Sequence, residues 1–438
     1  MKNIMSKAFV ASCAAVVASV AFAAPKIADT SVVASQNKGS RTVTVEYRLT
    51  GEPAIVTIDI QTNVVVSGEK KWVTIGGDKL VGFYGDVNIL NKNTTSTSKA
   101  YWHPDKCWPD GGALGGVRAV VTAWATNAPP DYMVVDLTDG DKTYYTSVDS
   151  LPGGCGLSND LYRTERMVFR KIPARGVTWR MGSPLDEDGR FDNEKPHLVT
   201  LTRDYWFGVF PVTMAQHKRV MNDNSNVAPS VCFFTNLSSY ATRPFQGAGP
   251  KDLFDTYIPA FQARTRGTLF TVPTEAQWEY AARAGVGTSL TTGKNLISVK
   301  TDVQLNELGR YGANHSAADS DSATASIREN DDSSGTSKVG VFKANRWGIY
   351  DIHGNVHNIC SDRYAADYDG DMDSVVTNPE GGDPASCSEF VARGGCWGYR
   401  GVNYASYCRL ACRRSIANDV SKAVTFRHFG YRLCLEIE

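Results

Sequence analysis

Beyond its first two dozen residues the 438-residue chain has no apolar run long enough to cross a bilayer as a helix, and the protein is not expected to be membrane-spanning. It also lacks a charge of either sign: Lys plus Arg equals Asp plus Glu at 46 each. Such a balance gives no support for nucleic acid or an anionic membrane as a partner. A metalloprotease-like zinc helix is missing as well. His353 and His357 are spaced as H-x-x-x-H, but no Glu follows His353, and Gly354-Asn355 between them argues for a turn rather than a helix. From Ser31 to about Arg163 there is no helical period at all.

What the chain does have begins with a leader. Lys2 and Lys7 precede an apolar run from Ala8 to Val20, and Ala21-Phe22-Ala23 is a small-x-small cleavage site. Residues 1–23 are expected to be a signal peptide and the mature protein to be exported, periplasmic or extracellular. A rival reading takes Val10-Ala11-Ser12-Cys13 as a lipobox. Of ten cysteines, nine follow the leader, in a compartment that permits disulfides. Nine is odd, so at least one thiol is free or pairs outside the chain, and connectivity does not follow from the sequence.

The length exceeds one ordinary core, and two domains follow the leader. Residues 24–165 alternate β-branched or aromatic residues with polar ones, as in Thr42–Tyr47 and Ala54–Ile60, with Gly51-Glu52-Pro53 as a turn between them. Further strands are expected at 71–75, 117–126, 132–137 and 142–148. About seven short strands predict an all-β sandwich of immunoglobulin or fibronectin type. Cys107 and Cys155 are the only cysteines of this region and are placed to staple it, and Trp102, Trp108 and Trp124 read as core residues. The Gly-rich stretch Leu151 to Asp160 reads as the linker.

Residues 166–438 carry a different pattern. Thr213 and Gln216, and again Thr274 and Gln277, form capping boxes that open helices. Another helix is expected from about Leu253 to Arg264. Glu275 and Glu279 stand one turn apart, and their spacing predicts a solvated helix face. Asn314 to Lys338 is polar and predicts a long surface loop. The centre of this half is Asn345 to Asp362, NRWGIYDIHGNVHNICSD: a short aromatic strand, a tight Gly/Asn/Asp turn and a second short segment.

The wording of that stretch resembles the NxxGLYDMxGNVWEW core of the formylglycine-generating enzyme family, also called the sulfatase-modifying factor family. Four other segments agree in the same order. They are Trp179–Ser183 with Glu194–Leu201, the helix Pro273–Gly285, Arg393-Gly394-Gly395-Cys396-Trp397 with Cys408–Ser415, and Phe429–Leu433. The resemblance implies an α+β fold, irregular and related to C-type lectins, for residues 166–438. It also implies an oxidase that converts a sulfatase cysteine to formylglycine with O₂ and Cu(I) held by two cysteines. Soft thiolates suit Cu(I). Counting forward from Cys396 places the pair at Tyr399 and Tyr404; counting back from Arg414-Ser415 places it at Gly401 and Ser406. Neither gives a cysteine, so copper binding is not expected. The nearest catalytic candidates are Cys396, Cys408 and Cys412, and their ordinary reading is as disulfides or buried thiols.

The resemblance further carries a calcium site onto Asp351, the carbonyls of Gly354 and Val356, and Asn358, where the family has Glu. Oxygen ligands from a tight turn suit this hard cation. Asp369, Asp371, Asp373 and Glu380 form a second, EF-hand-like candidate, although Ser374 replaces its turn Gly. Trp397, Tyr399, Tyr404 and Tyr407 are candidates for an aromatic binding surface taking an unidentified protein, peptide or glycan. The lectin sugar signatures EPN, QPD and WND are absent. The function expected is an exported binding or accessory module; the alternative is an active oxidase that takes a sulfatase as partner and works through a rearranged cysteine site.

Overall fold

Alternation along Val43–Tyr47 and Ala54–Val66 turns Val45, Tyr47, Val56, Ile58 and Ile60 to one side, and these residues build the first core. The computed structural model describes residues 23–111, 114, 116–223, 240–247, 249–314, 335–368, 374–398, 404–418 and 428–438. One sheet runs in the order Val33–Gln36, Val43–Tyr47, Ser98–Trp102, Tyr84–Gly85. A second pairs Val117–Trp124, Ala54–Val66 and Glu69–Thr74, with Ile89–Asn91 also on Ala54–Val66. Both sheets feed the same apolar cluster. Trp102 is buried in it, and its indole donates to Lys79 O at 2.9 Å. Trp108 and Trp124 are half-buried, and Trp124 donates to Thr57 Oγ1 at 2.8 Å. The tryptophans therefore serve packing.

The boundary expected at 165/166 runs through a sheet. Tyr132–Asp136 and Lys142–Tyr145 join Arg166–Ile172, Tyr205–Gly208 and Cys434–Glu436 in one five-stranded sheet. Met133, Val135 and Leu137 pack with Met167, Phe169 and Leu433. The expected linker is folded too. Leu151 and Cys155 are buried, and Arg163 reaches back to Gly156 O (3.0 Å) and Asn159 O (2.9 Å). Its glycines answer a turn, with Gly153 at φ 74° and Gly154 at φ 65°. Cys155 sits in that cluster, whereas Cys107 packs in the first core and lies 2.8 Å from Lys79 O, so the two do not pair. All eight cysteines among the described residues keep their thiols. No disulfide forms among them.

The remaining strands make three smaller sheets: Lys26–Ile27 with Leu49–Thr50; Val177–Met181, His197–Leu201 and Val375–Thr377; and Arg413–Ala417, Glu389–Arg393, His357–Arg363 and Phe429–Gly430. Helices are few. Met214–Val220 and Glu275–Arg283 each begin with the full capping box read from Thr-x-x-Gln. Glu275–Arg283 stops at Ala284, which takes the left-handed conformation one residue before Gly285. Residues 250–264 form one helical segment with a π turn at Leu253–Tyr257. Pro259 lacks the N–H that would bond the carbonyl of Asp255, and widening that turn relieves the clash of its ring. Among the described residues no helix is long and apolar enough to cross a membrane.

Candidate functional site

The turn at 345–358 is fixed from both ends. Asn345 Oδ1 accepts from the amides of Trp347 (3.0 Å) and Ile349 (3.1 Å), while Nδ2 donates to Ala281 O (2.8 Å) and Ala282 O (3.1 Å). The turn is thereby tied to the end of the helix Glu275–Arg283. The short strand expected at the start of this stretch does not form, and residues 345–356 hold no strand; Asp351 and Asn355 instead take positive φ of 54° and 64°. Asp and Asn tolerate that region better than most side chains. Gly354 is obligatory, since a Cβ there would lie 2.0 Å from Arg310 O.

The expected calcium ligands stand in one turn, and the oxygens of Asp351, Val356 and Asn358 already accept hydrogen bonds. Asp351 Oδ2 accepts from Gly340 N–H at 2.7 Å and Oδ1 from Asn355 Nδ2 at 3.0 Å. Asn358 Oδ1 accepts from the Trp278 indole (3.0 Å) and from Arg432 Nε (3.3 Å), and its Nδ2 donates to Val356 O (3.3 Å). Arg432 also donates to Asp351 O at 3.3 Å. A guanidinium thus stands among the proposed ligands as their cation, and this donor set does not fit Ca²⁺. Burial raises the Asp351 carboxyl above its ordinary range, against the pull of the Gly340 amide and the Arg432 charge. Asp369, Asp371 and Asp373 of the second candidate lie outside the described residues.

His353 and His357 do not form a metal pair. His353 Nε2 accepts from Thr291 N–H at 3.1 Å, which places the proton on Nδ1, 2.7 Å from Cys408 O. Burial pushes His353 down to about 4 and His357 to about 3, so both are neutral at pH 7. Among the described residues no group of three or more His, Cys, Asp or Glu side chains is arranged to hold a metal.

His353 connects this turn to the cysteine segment. Cys396, Cys408 and Cys412 are each 1% exposed. Cys408 ends a short 3-10 turn, Ser406–Cys408, rather than lying in a strand. Its thiol is held well above the ordinary range by burial, with further raising from Cys396 and Cys412. Burial, then the Glu194 charge, pushes Cys412 up to about 12. Thiolate is the nucleophile and the soft-metal ligand, and this interior suppresses it. Of the positions assigned to the copper pair, Ser406 is buried and Tyr404 is half-buried against the Leu290, Leu296 and Leu305 cluster. Tyr399 and Gly401 lie outside the described residues.

The aromatic surface is smaller than expected. Trp397 is 9% exposed and its ring faces His428, with centroids 5.3 Å apart, so it belongs to the interior. Tyr407 is half-buried and stacks on Phe191 (5.5 Å, 10°), with Arg414 over its ring at 5.1 Å. Arg409 lies 5.8 Å from the Phe191 ring. Arg414 enters the sequence reading only as part of a motif, and no local pattern marks Phe191.

The solvated face expected for Glu275 and Glu279 is instead the ionic centre of the fold. Their side chains are 3% and 0% exposed. Glu279 Oε1 accepts from Arg283 Nε (2.8 Å) and Gly182 N–H (3.0 Å), and Oε2 from Arg393. Glu275 holds Arg413 through two bonds of 2.6 and 2.8 Å and lies 3.0 Å from Arg393 Nε. Nearby, Arg409 bonds Glu187 (2.6 Å) and Glu194 (2.6 and 2.8 Å). These pairs brace the very segment, 393–414, where the chemistry was sought.

Residues 170–437 match the model of the Sulfatase-modifying factor enzyme 1-like domain. The chain is 30% identical over 166 residues to the formylglycine-generating enzyme of Thermomonospora curvata, covering 37% of this chain and 48% of that protein. With the formylglycine-generating enzyme of Streptomyces coelicolor it shares 29% identity over 171 residues, covering 37% and 45%. The chain thus spans about half the length of the curated relatives it matches. Among solved structures it is similar to PvdO from Pseudomonas aeruginosa, at 23% identity and a TM-score of 0.46, covering 61% of this chain and 94% of that one.

Proposed function

Because the chain belongs to the sulfatase-modifying factor family, we propose that it is an exported member that has kept the scaffold and lost the copper-dependent oxidation, acting as a binding or accessory module. One observation carries this reading. The described positions assigned to the copper pair hold Tyr404 and Ser406, while the three cysteines of the segment are 1% exposed. A phenol or hydroxyl is a hard, protonated donor and does not replace a thiolate on Cu(I). The ligand is a protein, peptide or glycan, and the half-buried stack of Tyr407 on Phe191, with Arg414 over the Tyr407 ring, is its candidate platform.

A second reading retains oxidase activity on a sulfatase cysteine through Cys396, Cys408 and Cys412. It is favoured by their clustering: Cys396 and Cys412 lie close enough to the Cys408 thiol to raise it further above its ordinary range. A Cu(I) competition separates the two. The reduced protein is titrated against a colorimetric Cu(I) chelator, and the chelator is expected to keep the metal. Transfer of a single Cu(I) per chain, lost in Cys396→Ser or Cys408→Ser, supports the second reading and overturns the first.

A further inference from the structure

We propose that the groove between the 250–257 helical segment and the end of the strand His357–Arg363 binds a short peptide segment bearing side chains of both charges. The site shares no residue with the cysteine segment or the Tyr407 platform, so it does not rest on the functional reading above. Its volume is about 580 Å³. That lies within the usual range for small ligands, enough for a segment of a few residues and too little for a folded partner.

Its floor is apolar. Phe254 and Phe390 stack with centroids 5.0 Å apart at 25°. Phe254 and Asp255 stand on the π turn, a distortion that recurs at functional sites because it redirects side chains. The Arg363 guanidinium lies 3.8 Å from the Phe390 ring centre, and its Nη1 donates to Ser388 O at 3.0 Å. Both contacts hold the cation flat against the wall, a preorganised geometry for a carboxylate. Lys251 pairs with Asp255 at 2.5 Å, and Glu380 is exposed; all three line the groove.

The charges select the ligand class. Two cations, Lys251 and Arg363, and two anions, Asp255 and Glu380, line one space. A polyanion is attracted by one pair and repelled by the other. A neutral sugar desolvates four charges and brings no opposite charge to compensate. A segment carrying both a carboxylate and an ammonium group satisfies Arg363 and Glu380 together and lays its apolar side chain on the phenylalanine floor.

The test uses the purified full chain and a defined probe, the N-acetylated, C-amidated tetrapeptide Lys-Phe-Ala-Glu, followed by titration calorimetry. Saturable binding is expected with a Kd of about 0.1–1 mM, weakened roughly ten-fold by Arg363→Gln and by Glu380→Gln, and weakened by added salt. Glu380 is exposed, so Glu380→Gln reads out binding in a folded protein; unchanged melting temperatures verify this for both variants. The same peptide with Ser for Lys and Glu is expected to bind at least several-fold more weakly. Absence of saturable binding at about 10 mM peptide overturns the proposal, since such affinity carries little free energy. So does equal affinity in either variant. Maltotetraose binding that is tighter than the peptide's and lost in the same variants makes the groove a sugar site instead.

Discussion

Glu279→Gln is expected to destabilise the folded protein by about 3–5 kcal/mol, because it leaves buried cations without their counter-charge. Glu279 is 0% exposed, and its partners Arg393 and Arg283 are 0% and 5% exposed. Burial alone raises a carboxyl, yet the charges of Arg283 and Arg393 hold Glu279 below its ordinary value, so the ionised form is the one the fold selects. Gln preserves the shape and removes the charge. In Glu275, Glu279, Arg283, Arg393 and Arg413, two carboxylates already face three guanidiniums. The substitution leaves Glu275 alone with three. Arg393 also donates to Leu410 O (3.0 Å) and Cys412 O (2.9 Å), so the loss spreads into the cysteine segment. Urea unfolding measures it. A change below about 1 kcal/mol, the range of exposed ion pairs, would show that the network is hydrated and not central.

Asp362→Asn is expected to act in the opposite direction, and only above mildly acidic pH. Burial, with the Glu275 charge second, raises Asp362 to about 7. Its folded pKa is above the unfolded one, so the folded state binds the extra proton between the two values. Stability from this group therefore falls as pH rises from about 4 to about 7 and is level above. Asn keeps an acceptor for the Glu275 amide, which Asp362 Oδ2 bonds at 2.8 Å. At pH 8 the variant is expected to exceed the parent by up to about 4 kcal/mol, three pKa units' worth; at pH 4 the two are expected to agree. Taking the difference between them cancels other titrations, Asp351 and the buried histidines included. Parallel stability curves from pH 4 to 8 would contradict this.

The sequence was most informative where chemistry is local. Thr213-x-x-Gln216 and Thr274-x-x-Gln277 announce their helices because both capping bonds lie within one turn. The alternation of Ala54–Ile60 likewise announces a strand, which runs from Ala54 to Val66. What could not be read depended on distant partners. Glu275 and Glu279 look like a solvated face because Arg413 and Arg393 are 138 and 114 residues away. Tyr132–Asp136 reads as a strand, but nothing within it tells that its neighbour is Arg166–Ile172 and not the preceding sandwich. The motif located the 345–358 turn, yet the commitment of the Asn358 oxygen to Trp278 and Arg432 appears only once helix and C-terminus are brought together. Trp397 reads as one of four aromatics on a binding surface; its burial against His428 is a tertiary fact.

The most direct measurement is turnover on a thiol. Reduced protein, Cu(I), O₂ and a peptide carrying a sulfatase-type cysteine motif are incubated together, and the peptide is weighed by mass spectrometry. Buried thiols at Cys396, Cys408 and Cys412, with Tyr404 and Ser406 at the described copper-pair positions, predict an unchanged peptide thiol. Conversion of that thiol to an aldehyde, abolished by Cys396→Ser or Cys408→Ser, would contradict it and identify the pair that carries the oxidation.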